Sequence, residues 1–248
     1  MKYRSIPKPI KKVLSHILDL KVRRKLNTLD EGSLVSEIRK ANLTYLSDKK
    51  LITILESLKY INENKIPGCF VEAGVALGGT LCIISGNSVG RQVYAYDTFT
   101  IIPPPSEEDP IESHERYNEI RSGNSKGIGD DIYYGYRSDL LEFVSHNIER
   151  ICGEESLNRT TLIKGILQDT MEIENEVAFA HIDVDWYDPV MHSITRIWPM
   201  LSFGGVMVFD DYFDWGGCKK AVDIFFKGRN DYDFDFTGGN LKVIKLFD

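Results

Sequence analysis

Between residues 47 and 64 the apolar positions Leu51, Ile54, Leu55, Leu58 and Ile61 recur every three or four residues, the stripe of an amphipathic helix. Similar spacing predicts helices over 7–26 and about 31–42, and Pro67-Gly68 closes this helical stretch. Beyond it, short apolar runs at 69–75, 92–96, 161–164, 177–183 and 205–209 alternate with helix-like patterns at 80–88, 138–150, 188–199 and 217–228. Strands separated by helices imply right-handed crossovers, hence an α/β fold with a doubly wound, mostly parallel sheet. Two last runs, 232–237 and 241–247, are joined only by Gly238-Gly239-Asn240, too short for a crossover. They predict a C-terminal antiparallel hairpin that brings the sheet to seven strands.

This pattern divides the chain into an N-terminal helical extension, 1–66, and one α/β domain, 67–248. A length of 248 residues with 42% hydrophobic content is enough for one sizeable core. Inside the domain, residues 100–137 form a long polar stretch holding Pro103-Pro104-Pro105, an acidic cluster, Gly123, Gly127, Gly129 and Gly135. A loop of this length is a lid insertion or a plain disordered segment, and Tyr117, Tyr133, Tyr134 and Tyr136 favour a lid that orders over a ligand.

Charge narrows the class. A net charge of −7 argues against a nucleic-acid binder, which needs a basic face. Cys69, Cys82, Cys152 and Cys218 are scattered and form no C-x-x-C pair, so reduced core thiols in a cytoplasmic protein are expected. No run approaches the roughly 20 apolar residues of a membrane span, so stable membrane insertion is not expected. The basic N-terminus lacks the apolar core of a signal peptide. Its Ile10, Val13, Leu14, Ile17, Leu18 and Leu20 fit a helix that lies on a membrane or a partner, or packs on its own domain or a second subunit of a homodimer.

The chemistry concentrates where two strands end. Val177-Ala178-Phe179-Ala180 runs into His181-Ile182-Asp183-Val184-Asp185-Trp186-Tyr187, and Gly205-Val206-Met207-Val208 runs into Phe209-Asp210-Asp211-Tyr212. In a parallel sheet the carboxyl ends of neighbouring strands open onto one crevice, so Asp183, Asp185, Asp210 and Asp211 can converge there on a hard divalent cation. Without one, four carboxylates raise each other's pKa. A second constellation precedes them. Val71-Glu72-Ala73-Gly74-Val75-Ala76-Leu77-Gly78-Gly79-Thr80 follows a strand and opens a helix, and Asp97 ends the next strand where a carboxylate can accept ribose hydroxyls. The spacing is neither the dinucleotide fingerprint nor a phosphate-binding loop. A purely structural turn is the alternative.

Together these segments resemble class I S-adenosylmethionine-dependent methyltransferases, and more closely the macrocin O-methyltransferase (TylF-like) family of natural-product sugar O-methyltransferases. The resemblance is carried by Phe70 to Val75, Tyr94 to Phe99, Lys164-Gly165 with Gln168-Asp169-Thr170, Ala180 to Tyr187, Gly204 to Tyr212, and Trp215-Gly216-Gly217 with Lys220 to Phe226. It implies a Rossmann-like fold and an O-methyltransferase that uses S-adenosylmethionine and magnesium, or another divalent cation, on a hydroxyl of a small acceptor, most naturally a sugar. It further implies that Glu72 and Gly74 line the methionyl part of the cofactor, with Gly78 and Thr80 in the same turn. Asp97 would meet the ribose, Asp169 the adenine region, and Asp183 the cofactor's edge. Asp183, Asp210 and Asp211 would hold the metal, and Asp185 would be the general base. One departure stands out: Thr100-Ile101-Ile102-Pro103-Pro104-Pro105 replaces the family's short Glu-Gly-Leu-Pro turn.

Other residues carry weaker expectations. Asp188-Pro189 fits a helix N-cap followed by proline at the first helical position. His181 fits a core histidine, His114 a surface residue, and Trp186 and Tyr187 either wall an acceptor pocket or pack beside the helix. A catechol-type acceptor satisfies the same metal, and Asp183-Val184-Asp185 also matches the D-x-D of metal-dependent glycosyltransferases.

Overall fold

The computed structural model describes residues 8–30 and 33–247, with side chains from Leu18 onward except Asp19. Three helices open it: α1 (Lys8–Leu29), α2 (Leu34–Lys40) and α3 (Asp48–Glu63). The alternating part follows as β1 (Cys69–Ala73), α4 (Gly79–Gly86), β2 (Val93–Asp97), α5 (Ile111–Arg121), α6 (Leu140–Cys152), α7 (Glu154–Asn158), β3 (Thr160–Lys164) and α8 (Leu167–Thr170). It closes with β4 (Val177–Ile182), α9 (Tyr187–Ile197), β5 (Leu201–Phe209), α10 (Gly216–Phe226), β6 (Tyr232–Asp235) and β7 (Leu241–Lys245).

The seven strands lie in the order β3-β2-β1-β4-β5-β7-β6. β1 to β5 are parallel, and β7 runs antiparallel to both β5 and β6. The order turns back on itself between β1 and β4, and a doubly wound sheet opens its crevice at that switch point, beyond the carboxyl ends of the strands. Every residue of β1 and β4 is buried, which explains why their runs are apolar but for Glu72 and His181: helices cover both faces. Alternate side chains feed two cores. Phe70, Phe179, Val206 and Val208 pack with α3, α4 and α6, whereas Val71, Ala180, Met207 and Phe209 pack with α9 and α10.

Leu51, Ile54, Leu55, Leu58 and Ile61 of α3 lie in the same core as Phe70 and Phe179. α3 therefore forms part of one face of the sheet. The stripe expected at Ile10, Val13, Leu14 and Ile17 lies outside the described side chains. Further along α1, Leu18 and Leu20 are exposed, Leu26 is buried, and Lys25 pairs with Glu56 of α3 at 2.6 Å.

Element boundaries differ from expectation where glycine or polarity obscured the pattern. β5 starts four residues before the predicted 205, because Leu201 pairs with Val177 and the strand continues past Gly204 through a shift in register. Inside the polar stretch, α5 buries only Ser113 and Ile120, so it has no apolar stripe to reveal it. That stretch is ordered by long-range bonds. Trp186 Nε1 donates to the Pro103 carbonyl at 3.0 Å, Tyr187 N donates to Asp109 Oδ1 at 2.8 Å, and Tyr136 Oη donates to the Ile120 carbonyl at 2.6 Å. Asp109 thus satisfies a free N–H at the start of α9, the part that Asp188 was expected to play. The helix begins one residue earlier than expected, at Tyr187, which leaves Asp188 inside its first turn.

Because α3 and the sheet share one core, Ile54→Ala should destabilise the whole domain by about 2–5 kcal/mol. Urea denaturation followed by both far-ultraviolet circular dichroism and tryptophan fluorescence should show a single shifted transition. Separate transitions would mean that the N-terminal helices fold as an independent unit.

Candidate active site

The turn after β1 is shaped by backbone conformation. Gly74 has φ of 86°, and a Cβ there would collide with the carbonyl oxygen of Asp183. β1 and β4 approach so closely at this point that only glycine fits. Gly78, at φ of 81°, precedes α4 with Val144 against it, and Gly79 N donates to the Leu43 carbonyl at 3.1 Å, tying the turn to the segment between α2 and α3. Asp97 holds the turn from the other side. Its Oδ2 accepts from Val75 N at 2.7 Å and Ala76 N at 3.1 Å, and its Oδ1 accepts from Phe99 N at 2.6 Å. Burial raises the pKa of Asp97, against the pull of these donors.

Two cavities open from this point. The larger, about 610 Å³, lies between the 43–47 segment, the glycine turn and the acids of β4 and β5. The smaller, about 240 Å³, lies between Thr98, Pro103, Ile166, Gln168 and Trp186. Gly74, Asp97, Asp183 and Asp185 border both, so the two form adjoining compartments of one cleft.

Asp183, Asp210 and Asp211 each offer an oxygen, and these oxygens lie within 4.8 Å of one another. Burial, then the charges of Asp210 and Asp211, push Asp183 well above the usual carboxylate range. Asp211 is raised well above it by burial and by Asp185 and Asp210. Asp185 rises to about 7, first by burial and then by Asp210. Its backbone is left-handed, φ 55°, with its N–H donating to Asp211 Oδ2 at 3.1 Å. Strain at a non-glycine residue beside a cleft is common where a side chain must be aimed.

Asp210 behaves differently. Burial would raise it, but His181 and Lys50 outweigh that and hold it low. Lys50 Nζ sits 2.7 Å from Asp210 Oδ2 and 2.6 Å from Asp214 Oδ2. Behind it, His181 Nε2 lies 3.9 Å from Asp210 Oδ1, and His181 Nδ1 is 3.2 Å from Glu72 Oε1. Burial opposes the imidazolium, yet the carboxylates of Asp210 and Glu72 on either side lift His181 to about 9, while burial lifts Glu72 to about 6.

The structure therefore brings Gly74, Thr80, Asp97, Asp183, Asp185, Asp210 and Asp211 to one cleft. It does not bring Glu72 there: this side chain is fully buried and points at His181 in the sheet's interior, because Glu72 and His181 are register partners on β1 and β4. Asp169 is exposed on α8 and lines neither cavity, whereas its neighbours Ile166, Leu167 and Gln168 line the smaller one. Gly78 supplies conformation rather than a wall of the cleft. His114 bonds the Ser106 carbonyl at 3.1 Å and stays outside the cleft. Lys50, Arg116 and Trp215 line the larger cavity without having been singled out from sequence. Trp215 had a signal in its Trp-Gly-Gly run. Lys50 had none, being one of several lysines on an amphipathic helix.

The fold is that of an S-adenosylmethionine-dependent methyltransferase. The solved structure of the O-methyltransferase NovP superposes with a TM-score of 0.67, covering 94% of this chain and 99% of that one at 22% identity. The calicheamicin methyltransferase CalS11 superposes with a TM-score of 0.58 over 92% and 91% of the two chains at 16% identity. The relationship extends to sequence: residues 19–134 and 137–234 match the macrocin-O-methyltransferase (TylF) family, and the chain belongs to it. That membership sets the glycosyltransferase alternative aside.

Among similar proteins, the demethyldecarbamoylnovobiocin O-methyltransferase of Streptomyces niveus is 24% identical over 73% of this chain and 66% of its own length. A tetracenomycin-C 4'-O-methyltransferase of Streptomyces olivaceus, acting on a dimethoxy-rhamnosyl derivative by its name, is 26% identical over 71% of this chain and 65% of its own. The mycinamicin III 3''-O-methyltransferase of Micromonospora griseorubida is 23% identical over 86% and 84%. The match thus spans just under two thirds of the first two relatives.

Substituting Gly74→Ala should destabilise the protein by at least about 1–2 kcal/mol, the cost of a left-handed non-glycine residue, before the collision with Asp183 is counted. Calorimetry with S-adenosylhomocysteine should show binding lost. A variant with native stability and affinity would show that the turn relaxes freely.

Proposed function

We propose that this protein transfers a methyl group from S-adenosylmethionine to a hydroxyl of a sugar moiety on a natural product, with a divalent metal at the Asp183–Asp210–Asp211 cluster. The observation that carries the proposal is the adjacency of this cluster to the glycine turn, through Asp183 and Asp185, which border both cavities. The named activities of similar proteins, on rhamnosyl tetracenomycin and on mycinamicin, supply the acceptor class.

The donor set fits a hard cation. Three carboxylates face one another, two of them raised by burial and then by their neighbours' charge, and Asp210 Oδ1 is buried without a hydrogen-bond partner. The cleft also fits the nucleoside. The smaller cavity, floored by Ile166 to Gln168 and walled by Trp186, takes the adenosine, and Asp97 at its border meets the ribose. Gly74, which borders both cavities, lets the methionyl portion pass over the backbone beyond the strand ends, and Thr80 with the first turn of α4 faces its charged end.

S-adenosylmethionine, when bound, supplies a methyl already activated on sulfur, and a divalent ion supplies Lewis-acid polarisation and orientation of acceptor hydroxyls. The protein's own task is to place the acceptor oxygen and remove its proton. Asp185 receives that proton on its carboxylate, from a position fixed by the bond of its own N–H to Asp211. A positioned base contributes roughly 10²–10⁴-fold. The 100–137 segment acts as the lid, with Tyr133, Tyr134 and Arg116 lining the larger cavity.

The test is methyl transfer from labelled S-adenosylmethionine to a panel of rhamnosylated and other glycosylated acceptors, with catechols as the contrasting class. Methylation of catechols alone would replace the sugar assignment. Asp185→Asn should keep S-adenosylhomocysteine affinity within about threefold in calorimetry while turnover falls roughly 10²-fold or more. Wild-type turnover in that variant would reject Asp185 as base. Chelation should abolish transfer, with magnesium restoring it, and transfer that persists after chelation would remove the metal from the proposal.

A further inference from the structure

Lys50 is joined to the acid cluster but belongs to none of the roles assigned above. It sits in the first turn of α3, and its side chain is only 14% exposed. Its ammonium bridges Asp210 Oδ2 at 2.7 Å and Asp214 Oδ2 at 2.6 Å. Asp210 and Asp211 both contribute to its raised pKa, overcoming a desolvation that works against the charge. Asp210 is thus gripped on one oxygen by a cation from the helical region, while its other oxygen has no hydrogen-bond partner and faces His181.

We propose that Lys50 is a tethered counter-cation that competes with the divalent ion for Asp210, so that metal binding at the cluster is coupled to the position of α3. The inference rests on the metal assignment made under the proposed function. With no ion bound, the ammonium, 2.7 Å from Asp210 Oδ2, offsets part of the negative charge that Asp183, Asp210 and Asp211 bring together. An incoming ion brings a second positive charge to the same carboxylate, and the repulsion between the two cations shifts Lys50 from Asp210 towards Asp214. Asp214, at 54% exposure, holds the released ammonium near the rim of the cleft.

The consequence reaches the cofactor side. Ser47 caps α3 by accepting from Lys50 N, and Leu43 to Ser47 line the larger cavity, with Leu43 also bonded to Gly79 of the glycine turn. At the other flank, Asn240 Nδ2 donates to the Lys50 carbonyl at 3.4 Å, joining the β6–β7 turn to the same helix start. A movement of Lys50 between its two partners is therefore felt by the wall that faces S-adenosylmethionine. Metal and cofactor binding should be linked through this lysine, and linkage is reciprocal.

The experiment is manganese titration of the metal-free full-length protein, read by calorimetry and by the electron paramagnetic resonance of free Mn²⁺, with thermal unfolding alongside. In Lys50→Met, Mn²⁺ affinity should rise about tenfold, within the range by which outer partners tune metal sites. The unfolding temperature of the metal-free variant should fall, and Mn²⁺ should raise it by more than it raises the wild type. Lys50→Arg, which retains the charge, should stay within about threefold of wild-type affinity. Lys50→Gln provides a second neutral variant if Lys50→Met does not fold. Unchanged or weaker Mn²⁺ binding in the neutral variants, with normal binding in the wild type, overturns the counter-cation and leaves the metal site standing. No Mn²⁺ binding in any of the proteins overturns the metal assignment itself.

Discussion

Crowded carboxylates at the ends of β4 and β5 are the constraint around which the rest of the cleft is arranged. Bringing Asp183, Asp185, Asp210 and Asp211 together where burial weakens their solvation costs electrostatic energy, visible in the upward drive on three of the four. The exception, Asp210, is the one with cations on two sides: Lys50 in front and His181 behind. Such an arrangement is poorly suited to stability and well suited to chemistry. Perturbed titratable groups concentrate where function requires them.

The polar chain behind the cluster runs through the sheet itself. Glu72 on β1 and His181 on β4 are register partners and fully buried, so the imidazole links the first strand of the switch point to the end of the fifth. A buried carboxylate is costly unless paired. Here the pair also lies behind Asp210, which gives Glu72 a place in the architecture of the acid cluster. The 100–137 segment shows a comparable economy of position. Asp109 both organises its own turn through Ser106 and accepts from the N–H of Tyr187, so this segment is attached two residues after Asp185.

Much of this was legible in the linear chain. Parallel strands buried on both faces write unbroken apolar runs, and acids that stop such a run can only sit at its carboxyl end; hence Asp183, Asp185, Asp210 and Asp211 could be placed together before any fold was seen. Gly74 and Asp97 were legible for the same reason, since a turn between strand and helix and a strand terminus are local features. Where the pattern was weak, the reading stopped short. α5 has a polar surface almost all round, and β5 was cut at Gly204-Gly205, where the register shifts.

What sequence determined by itself, then, was the order of elements and the residues that end each strand, because periodicity and chain termination are properties of neighbours in the chain. Tertiary structure alone decided which of those residues face the cleft. Glu72 turned inward to His181, Asp169 turned outward while Gln168 lined the wall, and Lys50 crossed 160 positions of sequence to reach Asp210. Direction and long-range pairing depend on how helices pack onto a sheet, and no local pattern of residues encodes a partner so far away.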